Sequence, residues 1–126
     1  MTLALLFALF LGNTTLPTHH FPPPAKLTWQ TERDHDFGEI RQGRPVKFVF
    51  QYKNTGDAPL TLETVRTTCG CTAAEWTEGP GAPGGTGEIS VEYDAYQGGA
   101  FKKKIRVFFR EQKKAEILWI RGVTGG

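Results

Sequence analysis

Helical periodicity is what this 126-residue chain lacks first. Beyond an apolar run at the N-terminus, no stretch repeats apolar side chains every three to four positions, which leaves an all-β domain. Cysteine occurs only 2 times, so a four-thiolate zinc site is excluded. Charge of one sign is also missing. Against 15 Lys and Arg stand 13 Asp and Glu, and a net charge of +2 is too small to argue for nucleic acid or an anionic membrane surface. The apolar run Leu3–Leu11 falls far short of the roughly 20 residues of a spanning helix. No nucleophile stands with an oriented base. Asp34-His35-Asp36 has the residue types of a catalytic fragment, but neighbours on an extended chain face opposite ways, so it is expected to be an exposed turn. The Gly-rich stretch Glu78–Gly87 is not a phosphate loop, because no Lys-Ser/Thr follows it and a strand comes next.

What is present begins with that apolar run. Residues 1–12 fit the apolar part of a secretory signal peptide, with only the terminal amine as positive charge, and export is the expectation. Residues 13–26 are polar and Pro-rich, and Pro22-Pro23-Pro24 favours an extended linker. His19-His20 lies in this linker as a solvent-exposed pair, and the Asn13-Thr14-Thr15 sequon sits where a leader would be cut. No membrane span is expected once the leader is removed. The expected location is the periplasm or the cell exterior.

From Leu27 to Thr124 short alternating runs are broken by turn residues. Leu27, Trp29 and Thr31 share a face, and Phe37–Ile40 follows. Val46, Phe48, Phe50 and Tyr52 then oppose Lys47, Gln51 and Lys53. Asn54-Thr55-Gly56-Asp57 is a turn, Pro59–Val65 a strand, Thr72–Trp76 a short extended piece and Glu78–Gly87 a loop. Ile89, Val91 and Tyr93 alternate with Glu88, Ser90 and Glu92. After Gly98-Gly99, Phe101, Lys103, Ile105, Val107 and Phe109 oppose Lys102, Lys104 and Arg106. Arg110–Lys114 turns the chain into a closing strand, Ile117–Val123. About seven strands at this spacing predict an antiparallel β-sandwich with Phe48, Phe50, Ile89, Val91, Ile105 and Val107 in its core. Trp29, Trp76 and Trp119 are expected as core anchors, with an exposed interaction patch as the alternative.

Two features carry chemistry. Cys69-Gly70-Cys71 holds both cysteines one residue apart. On a straight strand such residues are about 6.6 Å apart, too far for a bridge, so Gly70 is expected to bend the chain through positive φ. A disulfide, a dithiol used in thiol–disulfide exchange and a two-sulfur Cu(I) clip all remain open. Arg66 is the nearest cation in sequence. The second feature is the basic stripe Lys102, Lys104, Arg106 with Arg110 beyond it. It is a solvated face, edge-strand charge that guards against pairing, or a docking face for an acidic partner or polymer.

In order along the chain, Phe37-Gly38-Glu39-Ile40, Gly43, Phe48, Phe50, Asn54-Thr55-Gly56, Pro59-Leu60, Cys69-Gly70-Cys71-Thr72, Tyr93 and Gly99-Ala100-Phe101-Lys102-Lys103 resemble the bacterial domain of unknown function 1573 family. The resemblance covers roughly Phe37 to Val123. It departs from the family pattern in its Gly-rich loop at 78–87 and in Phe108-Phe109-Arg110-Glu111, where a small polar turn would be usual. It implies an immunoglobulin-like sandwich similar to Hydin and major sperm protein domains, in a periplasmic or surface module. The resulting expectation is a non-enzymatic module that binds or scaffolds another envelope protein, with no cofactor. The alternative is a small thiol-redox or Cu(I)-handling protein that uses Cys69 and Cys71.

Overall fold

Alternating side chains become strands packed face to face. The computed structural model describes residues 26–125, so the signal-like segment, nearly all of the linker, His19-His20 and the sequon lie outside the described residues. The strands are β1 (Leu27–Trp29), β2 (Asp34–Arg41), β3 (Val46–Asn54), β4 (Leu60–Thr67), β5 (Thr72–Trp76), β6 (Pro80–Gly81), β7 (Thr86–Tyr93), β8 (Gly99–Phe109) and β9 (Glu116–Gly125). They form a four-stranded sheet, β1-β3-β7-β5, and a five-stranded sheet, β2-β9-β8-β4-β6. Among the described residues no helix is long and apolar enough to cross a membrane.

The strand number exceeds the expected seven for two local reasons. The first two extended pieces, β1 and β2, lie in different sheets and count separately. β1 pairs antiparallel with β3, and after Gln30–Arg33 the chain enters the other sheet, where β2 pairs parallel with β9. The sandwich is therefore not wholly antiparallel. The second addition is β6, inside the stretch expected to be a loop, where Pro80 and Gly81 pair with Thr61 and Leu60. Proline is tolerated there because β6 is an edge.

Asn54 explains why a Gly- and Pro-rich stretch can pair at all. Its side chain is 2% exposed and donates to the carbonyls of Ala58, at 2.9 Å, and Gly81, at 3.0 Å. Its Oδ1 accepts from the Gly56 amide at 3.0 Å. Its backbone accepts from Gly84 and donates to Gly85. One buried amide thus ties the β3–β4 turn to the loop that carries β6.

The core sits between the sheets. Phe50, Ile89, Val91, Ile105, Val107, Leu118 and Ile120 are fully buried, and Phe48 packs against them half-buried. Phe48 is covered by His35, whose ring stacks on it at a centroid distance of 3.7 Å. The Asp34-His35-Asp36 turn expected from the sequence is therefore a strand. His35 pairs opposite buried Ile120 and points inward, while Asp34 and Asp36 stand opposite Trp119 and Arg121. Its Nδ1 meets Glu32 at 2.6 Å and its ring meets Phe37 edge-on at 4.6 Å. The local polarity of the three residues hid an inward position that alternation along β2 imposes.

Two tyrosines have raised phenol pKa values. Burial is the main cause for Tyr52, with the Glu111 carboxylate adding to it. For Tyr93 burial again leads, followed by Asp94. A raised folded-state pKa means that the stabilising contribution is complete below the unfolded value of about 10 and is lost as pH climbs above it. Denaturant midpoints are expected to fall between pH 9 and values above about 10, and Tyr52→Phe is expected to lessen that fall.

Asn54→Asp keeps the shape but removes the two donated hydrogen bonds and brings a carboxylate against two carbonyls. A loss of about 1–3 kcal/mol is expected in urea unfolding, with the four-stranded sheet retained by circular dichroism.

Candidate functional site

The cysteine corner carries the chain from one sheet to the other. β4 lies in the five-stranded sheet and β5 in the four-stranded one, with Thr68–Cys71 between them. The Cα atoms of Cys69 and Cys71 are 5.3 Å apart and their Sγ atoms lie within bonding distance. A turn produces this approach: the Thr72 amide donates to the Cys69 carbonyl at 3.4 Å. The Thr67 hydroxyl lies 3.3 Å from the Cys69 carbonyl and 3.1 Å from that of Thr72. The Asp94 amide donates to the Cys71 carbonyl at 2.9 Å and fixes the corner to the β7–β8 loop.

Gly70 does not take the conformation expected of it. The left-handed glycines are Gly38, Gly43, Gly79, Gly84 and Gly99, and Gly70 is not one of them. A turn whose central residues both keep negative φ draws the two cysteines together without a left-handed residue. A Cβ on Gly70 would point into open space.

Neither sulfur has a base beside it. Among the described residues the polar side-chain partner of both is the Thr72 hydroxyl, at 3.7 Å from Cys69 and 3.8 Å from Cys71. No group of three His, Cys, Asp or Glu side chains able to hold a metal occurs among the described residues.

The basic stripe does not have the edge setting that one of the sequence readings gave it. β8 is not an edge. It lies between β9 and β4, so guarding an edge cannot account for its charges. Ile105, Val107 and Phe109 point into the core, and the alternation puts Lys102, Lys104 and Arg106 on the outer face. Register adds neighbours. Arg66 of β4 stands opposite Arg106, and Arg121 of β9 stands opposite Lys102. Arg110 lies beyond β8, where its amide donates to the Thr61 carbonyl at 2.9 Å.

Trp119 stands opposite Lys104 on this same face and is not a core anchor. The Nζ atoms of Lys102 and Lys104 lie 4.7 and 5.4 Å from its ring centre. The Arg66 guanidinium lies 5.5 Å from the Phe108 ring. The other two tryptophans do pack against the core. The neighbours of Trp119, Leu118 and Ile120, are both fully buried, which places Trp119 and Arg121 outside by alternation. The same signal would have found Arg121. At the β2 side Asp34 meets Arg121 at 3.1 Å.

A shallow groove of about 370 Å³ lies at the end of β4, lined in part by Trp76, Glu63, Glu78 and Arg110.

A family profile described as "Protein of unknown function (DUF1573)" matches residues 27–124. The chain belongs to the DUF1573 family. No curated protein matches the sequence. This DUF1573 domain is similar to a protein of unknown function from Porphyromonas gingivalis W83, with 19% identity and a TM-score of 0.65 over 79% of this chain and 46% of that one. The chain thus spans less than half the length of that protein. It is also similar to PapD-like domain 7 of human CEP192, an ASH / PapD-like domain, at 12% identity and a TM-score of 0.69, covering 87% of this chain and 92% of that one. A third likeness is to the VesB protease of Vibrio cholerae, at 18% identity and a TM-score of 0.63, over 78% of this chain and 32% of the protease. At such identities the likeness concerns the fold, a PapD-like, immunoglobulin-like β-sandwich.

Because Gly70 is neither left-handed nor crowded, Gly70→Ala is expected to change stability by no more than about 0.5 kcal/mol. Thermal melts of the variant and the parent, with and without reductant, check this. The loop closed by the two sulfurs is minimal, so reductant is expected to cost less than the ~2–4 kcal/mol typical of a disulfide.

Proposed function

We propose that this DUF1573 domain is a non-enzymatic binding module, exported to the periplasm or cell surface, that docks another envelope protein through the outer face of its five-stranded sheet. The observation that carries the reading is the run of cations on an interior strand. Lys102, Lys104 and Arg106 extend across neighbouring strands to Arg66 and Arg121. Export rests on the Leu3–Leu11 apolar run followed by the Pro-rich linker. We take Cys69 and Cys71 as joined in a disulfide, which fits such a compartment. Its role is local, to hold the crossing between the sheets. The thiol-redox and Cu(I) alternative draws no support from the corner, whose shared polar neighbour is a threonine hydroxyl rather than a base.

The opposite outer face supplies an internal comparison. There Lys47 meets Glu92 at 3.9 Å, and Gln51 stands opposite Glu88. That face interleaves the two signs, as a solvated surface does. The test is capture of partners from envelope extract by the wild-type chain, by Lys102→Glu/Lys104→Glu/Arg106→Glu, and by the control Lys47→Glu/Lys53→Glu. Wild type and control are expected to hold the same protein, with at least about tenfold less on the triple variant. Equal capture by the triple variant, shown folded by its melting curve, would remove the sheet face from the function.

A further inference from the structure

Resting on the docking reading above, we infer that the occupant of the basic face is a short acidic segment of a protein that also carries apolar side chains. Three observations lead there. The first is repulsion that the chain does not relieve by itself. Like charges directly opposite each other across strands are destabilising. Here Arg66 faces Arg106 and Lys102 faces Arg121. On β2 Asp34 meets Arg121 at 3.1 Å and Asp36 stands opposite it, so the first pair is the one left without a neighbouring carboxylate across the ladder. Carboxylates laid between these pairs remove the repulsion, and the two arginines of the first pair suit bidentate carboxylate binding.

The second observation is what lies between the cations. Phe108, Ile117 and Trp119 are only half-buried, and Val123 is 47% exposed. These side chains offer apolar contact beside the cations. An acidic polysaccharide supplies carboxylates but no apolar side chains. The face of Trp119, on which a sugar ring would stack, lies under the Lys102 and Lys104 ammonium groups. The same contacts hold the two lysines over one ring, so less of their freedom is lost when a ligand arrives.

The third is size. From Lys102 to Phe108 the strand runs about 20 Å, and β4 to β2 spans about 14 Å. In projection that outline is roughly 280 Å², little broader than one helix about 10–12 Å across or two to three paired strands. It suits a single extended or helical segment better than a folded surface. Binding to it is electrostatic in large part and weakens with salt.

The experiment titrates the purified chain, labelled with nitrogen-15, with three probes of equal charge at low and physiological salt. These are a synthetic peptide of Glu alternating with Leu and Phe, a Glu-only peptide, and an oligogalacturonate. The mixed peptide is expected to bind at least about tenfold tighter than either other probe. It is expected to shift the Trp119 indole and the amides of Arg66, Lys102–Arg106 and Arg121, and to lose about tenfold in affinity as salt rises. Lys104→Gln, which keeps the stem and removes the charge, is expected to weaken the mixed peptide while leaving the melting temperature in place. If oligogalacturonate or the Glu-only peptide binds as tightly, the acidic, partly apolar segment is wrong and the face is a general polyanion site. If none of the three binds while the charge-reversed triple variant still loses its envelope partner, this inference falls and the docking reading stands. If the triple variant also keeps that partner, both fall together.

Discussion

Alternation along β8 is the constraint on which both the core and the surface of this domain depend. Of the strand's inward residues, Phe101, Ile105, Val107 and Phe109 are buried, and Lys103, near the strand's start, is half-buried. Its outward residues between them are Lys102, Lys104, Arg106 and Phe108. A register slip of one residue would drive three cations into the core and expose the apolar set. The cost of burying unpaired charge makes such a slip prohibitive. The basic face is therefore held in place by the hydrophobic effect acting on its opposite side, and its charges are positioned as firmly as the core is packed.

The position of β8 then decides what those charges can mean. With β9 on one side and β4 on the other, the strand has no free edge. Its pairings line up cations that are distant in sequence, Arg66 and Arg121, beside those on the strand itself. Trp119 and Phe108 lie beneath three of them. The outer face of the other sheet interleaves the two signs with Lys47 and Glu92, whereas here Asp34 and Asp36 stand on β2, at one side of the cations. The two faces of one domain thus differ in how their charges are arranged, and the docking proposal starts from that difference.

The cysteine corner serves the fold in a different way. It makes the crossing from β4 to β5 within four residues, and its carbonyl groups take hydrogen bonds from Thr72 and Asp94. The corner closes by ordinary turn geometry, so its tightness comes from hydrogen bonding and sulfur proximity rather than from a left-handed glycine. At the other end of the sandwich Asn54 has the comparable task, joining the β3–β4 turn to the β6 loop.

Local pattern by itself determined the sandwich class, the family resemblance and the strands built on strict alternation, such as Val46–Tyr52 and Ile105–Phe109, because a period of two is written in adjacent residues. It also determined that Lys102, Lys104 and Arg106 share one face. What it could not carry is anything set by which strands become neighbours. His35 reads as exposed beside two aspartates, yet it is packed on Phe48 by the pairing of β2 with β9. Trp119 reads as a core anchor, yet alternation with buried Leu118 and Ile120 puts it outside under two lysines. The parallel β2–β9 pair, the small β6 strand and the interior place of β8 depend on contacts between residues far apart in the chain. Only tertiary structure decides those, because hydrogen bonding between strands is indifferent to side-chain identity and the sheet order is fixed by burying both inner faces at once.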